Sequence, residues 1–155
     1  MTLSIYKPKL KDLWFRKALL SDEPTMSFNH TWGGTIDFPE ESWANWYDYW
    51  VANPDGKRYY RYVKDENGNF IGEIAYHFDT EISGFITNVI IHSRYRNRGY
   101  GGLALDMLCK EAKENGILKL YDDIALDNPA ISLFLGHGFE EQIRTTDKII
   151  LRKKL

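Results

Sequence analysis

Hydrophobic and polar positions follow two different periods along this chain, and the change of period separates helices from strands. Apolar residues recur at helical spacing over residues 9–20, with Leu10, Leu13 and Trp14 on one side, and aromatic residues do so again after Pro39. Three strand-like runs follow, at residues 58–64, 70–78 and 84–92. Hairpin-turn residues between the first two of these runs predict antiparallel pairing.

The second half of the chain alternates between helical and extended patterns. The predicted elements are a helix at 99–116, a strand at 117–125, a short helix at 128–136, and strands at 139–144 and 148–155. N-terminal helices and antiparallel strands therefore precede a β-α-β-α-β unit. This order predicts an α/β fold of the α+β kind, built on one mixed sheet.

Composition narrows the class of protein. The 155 residues, 43% hydrophobic and 27% charged, suit a single globular domain spanning 1–155. A formal charge of −2 argues against a nucleic-acid partner, and no apolar run is long enough for a membrane partner. The N-terminus lacks a signal-peptide pattern, and one cysteine, Cys109, allows no internal disulfide, so we expect a cytoplasmic protein. The four histidines lack ligand spacing, which predicts no metal site.

The segment NVIIHSRYRNRGYGGLALDML contains the strongest chemical signal. An apolar strand leads into a turn rich in arginine and glycine, and this turn begins a helix. The first backbone N–H groups of a helix lack internal partners and lie at the positive end of its dipole, so they bind phosphate well. Glycine lets the backbone approach a bulky anion. The alternative interpretation is an ordinary turn with solvated arginines.

A dinucleotide is one candidate for the phosphate ligand. Gly99, Gly101 and Ala104 fit the loose G-x-G-x-x-G/A pattern, and Asp122 lies at the distance of a ribose contact. However, residues 93–98 separate the glycines from the strand, and no second strand–helix repeat follows to complete a dinucleotide fold. A dinucleotide-dependent oxidoreductase is therefore the weakest alternative.

Two motifs resemble those of the GNAT superfamily of N-acetyltransferases. The sequence Arg96-Asn97-Arg98-Gly99-Tyr100-Gly101 matches its Gln/Arg-x-x-Gly-x-Gly/Ala signature. The stretch from Asn128 to Phe134, followed by Gly138-Phe139, is similar to its asparagine–helix–Gly-Phe segment. The motifs occur in order, with a helix and a strand between them, and together they cover about the C-terminal half.

The resemblance implies acetyl-CoA as the acyl donor and an amine of a small molecule or peptide as the acceptor. The coenzyme pyrophosphate would lie on the signature loop, and the pantetheine arm would follow the preceding strand, with a slot for the thioester beside it. A homodimer is left open. The implied coenzyme-binding residues are Val89, Ile90, Ile91, Arg96, Asn97, Arg98, Gly99, Tyr100, Gly101, Gly102, Asn128 and Phe134.

The catalytic groups follow the family pattern less closely. The resemblance implies that a backbone N–H near Ile91 stabilises the oxyanion. Phe134 stands where many members have the tyrosine that protonates the leaving thiolate, and the glutamate often found on the signature strand is absent. Glu73 and Asp123 are the nearest acidic candidates for the general base, with His77 third. A non-catalytic coenzyme A-binding regulatory module is therefore the alternative function.

The acceptor pocket is expected in the N-terminal half, where most of the tryptophans lie. One hypothesis is that Trp32 and the following loop form a pocket wall with an acidic rim that attracts a cationic amine. The rim would consist of Asp37, Glu40, Glu41 and Asp48. The alternative is that the aromatic residues after Pro39 form only the buried face of a helix. These residues are Trp43, Trp46, Tyr47 and Trp50.

Overall fold

A computed structural model describes residues 2–155, apart from the side chain of Trp32. The strands are β1 (Ser4–Tyr6), β2 (Arg58–Lys64), β3 (Phe70–Asp79), β4 (Gly84–Ile91), β5 (Lys119–Ala125), β6 (Glu140–Arg144) and β7 (Lys148–Lys154). The α-helices are α1 (Leu13–Ser21), α2 (Glu23–Met26), α3 (Trp43–Tyr47), α4 (Tyr100–Glu114) and α5 (Ala130–Gly136). Short 3₁₀ turns occupy Leu10–Asp12, Ser27–Trp32, Glu40–Ser42 and Ser93–Tyr95, and Asp48–Ala52 is a π-helical turn.

The strands form one seven-stranded sheet in the order β1-β2-β3-β4-β5-β7-β6. Neighbouring strands are antiparallel except β4 and β5, which are parallel. The predicted mixed sheet is thus confirmed. The sequence did not predict β1, which pairs with β2 through Ile5 and Val63. A three-residue strand is too short to establish a period of two.

Each face of the sheet has its own hydrophobic core. The side chains of Tyr59 and Val63 belong to the core beneath α4 and α5, whereas those of Tyr60 and Tyr62 belong to the core beneath α1. This division follows from the alternation of side chains along a strand. Burial on both faces explains why the central strands β3 and β4 carry apolar residues at consecutive positions rather than at alternating ones.

The buried face of α1 differs from the predicted one. Leu13 is fully buried as expected, but Leu10 is 44% and Trp14 55% exposed. Phe15 and Leu19 are buried instead. Residues 10–12 form a 3₁₀ turn, so the α-helical phase begins only at Leu13 and the apolar stripe rotates accordingly.

None of the helices among residues 2–155 has the length and the hydropathy that crossing a membrane requires.

Candidate active site

The site is a cleft where two neighbouring strands separate. The pairs Phe85–Leu120 and Ile86–Tyr121 join β4 to β5, and no pair follows them. The strands then diverge around a cleft of about 670 Å³. Because parallel strands offer their carboxyl ends at the same edge of a sheet, the cleft lies beside the start of α4 and of α5, which is the usual place for a ligand in such sheets.

The backbone of β4 opens into this cleft. The N–H of His92 donates to the carbonyl oxygen of Ile71, and Ile91 pairs with Gly72. This register makes Ile91 and Gly72 a non-hydrogen-bonded pair, so the N–H of Ile91 points away from β3 and toward β5. The same holds for Val89, two residues earlier. Beyond Ile86, therefore, β4 presents unpaired backbone groups to the cleft.

The signature loop closes one end of the cleft and places the start of α4 there. Asn97 and Gly99 both adopt left-handed backbone conformations, with φ of 62° and 85°. Asparagine and glycine tolerate this region better than other residues. Gly99 is the N-cap of α4, so the N–H groups of Tyr100, Gly101 and Gly102 belong to its unsatisfied first turn. The 15-residue helix adds its positive dipole end at this point.

The side chain of Arg96 binds protein carbonyls. Its Nε donates to the carbonyl oxygen of Ile91 at 3.1 Å, and its Nη1 donates to that of Pro24 at 3.0 Å. Nη2 donates to the carbonyl oxygen of Thr25. The resemblance placed Arg96 among the coenzyme-binding residues, and in the structure its side-chain hydrogen bonds join the signature loop to α2.

A second set of hydrogen bonds joins α2 to the 3₁₀ turn Ser93–Tyr95, which precedes the signature loop. Asp22 Oδ2 accepts from the hydroxyl of Thr25 at 2.6 Å and from that of Ser93 at 2.8 Å. The N–H of Ser93 donates to Thr25 Oγ1 at 2.9 Å. Hydrogen bonds from the Thr25 and Ser93 side chains lower the pKa of Asp22. These hydrogen bonds therefore fix the residues that precede α4 against α2 in the N-terminal half of the chain. No sequence pattern indicated this contact.

The first turn of α4 packs closely against α5. A Cβ atom at Gly102 would lie 2.7 Å from Nε2 of His137, whose Nδ1 is 2.8 Å from Asp106. A Cβ atom at Gly101 would meet only Leu133, at 3.4 Å. The packing of His137 therefore explains the glycine at position 102, whereas at position 101 the protein itself leaves room for a side chain.

Residues of the asparagine motif border the opposite wall. Asn128 Oδ1 accepts from the N–H of Ala130 and so satisfies a donor at the start of α5. Phe134 lines the cleft but is only 4% exposed, and its ring packs edge-on against Phe139 at 4.9 Å. The hydrocarbon ring has no proton to donate, so the structure offers no acid at this position.

Asp123 borders the cleft and has one free oxygen. Its Oδ2 lies 3.1 Å from Nζ of Lys148, and this carboxylate raises the pKa of the lysine. Its Oδ1 is buried and has no hydrogen-bond partner among the residues that the structure describes.

Glu73, the other predicted base, lies outside the cleft. Its side chain is 1% exposed, and it accepts from Arg16 Nη1 at 3.1 Å and from Asn88 Nδ2 at 3.0 Å. Burial raises the pKa of Glu73, and the charge of Arg16 opposes the rise. Asn88 does line the cleft, so Glu73 reaches it only through this amide. His77, the third candidate, does not line it and packs against Trp50 at 5.8 Å.

Asp122 is a carboxyl group of the cleft that the sequence analysis assigned only to an alternative ligand. It is the first residue of β5 beyond the last pair with β4. Burial raises the pKa of Asp122 to about 7; the charge of Asp123 adds to the rise, whereas the N–H of Asp123 and the hydroxyl of Thr87 oppose it. That hydroxyl lies near the carboxyl but makes no hydrogen bond of good geometry. Two adjacent aspartates in a strand were the only sequence signal.

The mouth of the cleft lies between the N-terminal half and the end of β5. His30 Nε2 is 2.9 Å from Asp127 Oδ2, and both side chains are about 60% exposed. The hypothesis that Trp32 forms a pocket wall concerns a side chain outside the described residues. The four acidic residues predicted for the rim do not line the cleft, where the acidic groups are Asp122, Asp123 and Asp127.

The aromatic residues after Pro39 serve the core rather than the cleft. Trp43, Trp46, Tyr47 and Trp50 are partly buried against the core beneath α1. The ring of Trp46 lies 4.7 Å from that of Tyr60, and the Arg16 guanidinium stacks over it at 4.3 Å. These contacts agree with the simpler interpretation, in which the four residues form the buried face of their segment.

The family model for the acetyltransferase (GNAT) family matches residues 18–139 of the chain. This protein belongs to the GNAT family. The match includes both motifs and the whole cleft, and it extends N-terminally through the helices that carried no sequence signature. Acetyl transfer is the activity that the family description names. No curated protein matches the sequence.

Solved structures of GNAT acetyltransferases share the fold. Spermidine N-acetyltransferase from Vibrio cholerae, in complex with CoA and spermine, matches with a TM-score of 0.81 and 18% identity, over 98% of this chain and 95% of that one. PaiA N-acetyltransferase from Thermoplasma acidophilum, in complex with coenzyme A, matches with a TM-score of 0.72 and 16% identity over all of both chains. Ribosomal-protein-alanine N-acetyltransferase from Brucella melitensis matches with a TM-score of 0.75 and 23% identity, over 98% of this chain and 99% of that one.

Most of the coenzyme-binding residues predicted for this GNAT protein line one cleft. Those that line it are Val89, Ile91, Arg96, Asn97, Gly99, Tyr100, Gly101, Gly102, Asn128 and Phe134. The side chain of Ile90 belongs to the core beneath α1, because side chains alternate along a strand and those of Val89 and Ile91 lie on the other face. Arg98 is exposed outside the lining. The structure describes no cluster of three histidine, cysteine or acidic side chains, among residues 2–155, that could hold a metal ion.

Proposed function

We propose that this protein transfers an acetyl group from acetyl-CoA directly to the amine of a small molecule or peptide. The observation behind the proposal is the end of β4–β5 pairing at Ile86 and Tyr121, beside the free first turn of α4. One cleft thus combines an extended strip of unpaired backbone with a phosphate-binding helix start. This combination suits a ligand that has a diphosphate at one end and an amide-rich arm at the other. We take residues 1–155 as one N-acetyltransferase domain, because a single sheet joins both cores.

The coenzyme would lie across these two features. Its diphosphate would accept hydrogen bonds from the N–H groups of Tyr100, Gly101 and Gly102, where the helix dipole favours negative charge. The amides of its pantetheine arm would pair with Val89 and Ile91 like an added strand. The thioester would then reach the point where β4 and β5 diverge, next to Asp123.

In the proposed reaction the acceptor nitrogen attacks the thioester carbon. The N–H of Ile91, which points toward the cleft, would donate to the oxyanion that forms. The free Oδ1 of Asp123 would accept the proton of the amine, directly or through a water molecule. We assign Glu73 a positioning role, because it holds the amide of Asn88 at the cleft and has no open path to the substrate.

The charge of the cleft supports a cationic acceptor. Asp123 and Asp127 line it, with Lys148 and His30 as their partners, and no lysine is among the described residues that form the lining. A protonated amine is attracted by such a site and gives up its proton there before it attacks. The spermine bound in the Vibrio cholerae relative is an amine of this kind in that protein.

Phe134 favours one alternative, a coenzyme A-binding module without turnover. The residue is buried in the wall of the cleft and offers no acid for the leaving thiolate. General acid assistance contributes only about 10²–10⁴-fold, so its loss at this position slows the reaction without removing the other contributions. The alternative predicts coenzyme binding with no amine-dependent release of thiol.

The test is a thermal shift with acetyl-CoA, coenzyme A and NAD, followed by thiol release from acetyl-CoA with a panel of amines. A ligand at about 100 times its dissociation constant adds about 2.7 kcal/mol of stability. We expect stabilisation by both coenzyme A forms and amine-dependent release. Stabilisation without release would support the binding module. Stabilisation by NAD alone would contradict the coenzyme assignment.

A further inference from the structure

The proposed reaction needs a proton at the sulfur atom of coenzyme A. When the carbon–sulfur bond breaks, the electron pair stays on a thiolate whose conjugate thiol has a pKa near 8.5. Near neutral pH, a proton donor close to that sulfur therefore assists departure. The donor must line the cleft where β4 and β5 diverge, since the thioester is placed there.

Most of the proton-bearing side chains of the cleft lie elsewhere. Tyr95 and Tyr100 belong to the signature loop and the start of α4, at the phosphate end. His30 is at the mouth, where it contacts Asp127. Phe134 is on the correct wall but has no donor.

The two aspartates in the middle of β5 remain, and they face opposite sides of the sheet. Asp122 alternates with Leu120 and Ile124, which both belong to the core that contains Phe134. Asp123 points to the other side, where Lys148 holds it. The two carboxyl groups therefore approach the thioester from opposite faces, which suits two different roles in one reaction.

We propose that Asp122 is the general acid that protonates the departing thiolate of coenzyme A. This inference rests on the proposed function. Asp122 Oδ1 accepts from the N–H of Asp123 at 2.8 Å, and none of the described residues makes a hydrogen bond of good geometry to Oδ2, the oxygen that would carry the proton.

In this step the acceptor nitrogen displaces the sulfur of coenzyme A from the acetyl carbon. The nitrogen–carbon bond forms and the carbon–sulfur bond breaks. The proton of the amine passes to Asp123 or to water, and the proton of Asp122 passes to the sulfur. The products are an amide, coenzyme A as a thiol and an Asp122 carboxylate, which recovers its proton from solvent after the coenzyme leaves.

The surroundings of Asp122 favour its protonated form at neutral pH. Burial is the main cause of its raised pKa of about 7, and the charge of Asp123 raises it further. The residue opposite it on β7 is Leu151, and Thr87 lines the cleft from β4, and no cation is among the groups that shift the pKa of Asp122. A bound pantetheine arm excludes water, and this further burial raises the pKa of Asp122 in the same direction.

The first experiment compares kcat for thiol release in the wild type and D122N between pH 6 and 9. The variant keeps an acceptor for the N–H of Asp123, so the strand pairing should survive. We expect D122N to lower kcat by about 10²-fold or more near pH 7 while the thermal shift with coenzyme A stays unchanged. The wild type should lose activity above about pH 7, as Asp122 ionises, and D122N should lack this falling limb.

Two further variants separate an acid from a structural role. F134Y in the D122N background supplies a hydroxyl on the same wall, and we expect it to restore at least tenfold of the lost kcat. T87V removes the hydroxyl that stabilises the Asp122 carboxylate. It should therefore move the falling limb to higher pH without a large change in the maximal rate.

The outcomes are distinguishable. A wild type that binds coenzyme A but releases no thiol with any amine contradicts the proposed function and the acid together. An active wild type whose D122N variant keeps its kcat and its falling limb contradicts the acid alone. A D122N variant that loses a rising limb instead identifies Asp122 as a base and also overturns the proposal.

Discussion

Arg16 Nη1 lies 3.1 Å from Oε1 of Glu73, and this pair connects α1 to the middle of β3 beneath a layer of aromatic rings. The guanidinium stacks over Trp46 and Phe38 at 4.3 and 5.0 Å. Glu73 was expected to accept a proton from substrate, but in the structure its partners are Arg16 and Asn88. The pair thus lies behind the wall of the cleft, which it reaches only through Asn88.

Replacing Arg16 by methionine should destabilise the protein strongly. The variant leaves the carboxyl group of Glu73 buried without its cation, and breaking such a pair costs about 3–5 kcal/mol. Urea unfolding at pH 8 measures the loss. K17M is the matched control, because Lys17 is exposed on the same helix, and its free energy of unfolding should change by less than about 0.5 kcal/mol.

The stability of R16M should depend on pH because the pKa of Glu73 is raised in the folded protein. Without the arginine, the folded-state pKa of Glu73 rises further above its unfolded value. The ionised carboxylate therefore destabilises R16M fully at high pH, and this loss of unfolding free energy becomes smaller as Glu73 is protonated at lower pH. The difference in unfolding free energy between R16M and the wild type should therefore be smaller at pH 5 than at pH 8. A difference independent of pH would show that lost packing, not the unpaired carboxyl, is the cause.

Removing the carboxyl group of Asp22 should loosen the contact between α2 and the signature loop. D22A loses the N-cap of α2 and the bond to Ser93, and we expect a cost of about 1–2 kcal/mol at pH 7. The folded pKa of Asp22 is lowered below 3.8, so its stabilisation is complete above the unfolded pKa and disappears as pH falls through the folded one. Denaturant titrations of D22A and the wild type should differ fully at pH 7 and approach each other only as the pH falls below 3.8. Glu23 is exposed next to Asp22, so E23A is the control and should have the unfolding free energy of the wild type at pH 7 and at acidic pH.

A side chain at Gly101 should separate coenzyme binding from folding. The protein leaves room there, with Leu133 at 3.4 Å as the only close neighbour, so G101L should change the unfolding free energy by less than about 2 kcal/mol. A leucine at the helix start would nevertheless occupy the space of the phosphates, and the thermal shift with coenzyme A should disappear. G136L, on an exposed glycine outside the cleft, is the control and should retain the full shift. Retained binding in G101L would place the phosphates elsewhere.

Cys109 should not react with the thiol reagent of a thiol-release assay while the protein is folded. Its side chain is 7% exposed, and burial raises the pKa of its thiol, so little reactive thiolate forms at neutral pH. An aromatic disulfide reagent should detect almost no thiol in the native protein and one thiol per chain in denaturant. Rapid labelling of the native protein would mean that α4 opens toward solvent.

The sequence by itself determined the order of the main elements and the position of the glycine-rich turn before α4. Periodicity is a local property, so the long helix α4 and the apolar strands β2 to β4 were readable from their own residues. Glycine and arginine before a helix likewise predict an anion site from local backbone chemistry alone. The two motifs added the family, and most of the residues expected to bind the coenzyme do line one cleft.

Only the tertiary structure decided which side chains meet there. Strand pairing ends at Ile86 and Tyr121, and this one event brings Asp122 and Asp123 to the cleft, while the sheet register places Glu73 against Arg16 instead. These contacts join residues far apart in the chain, and their choice depends on the packing of both faces of the sheet. A local pattern identifies an acidic residue on a strand, but it contains no information about which distant side chain will neutralise it.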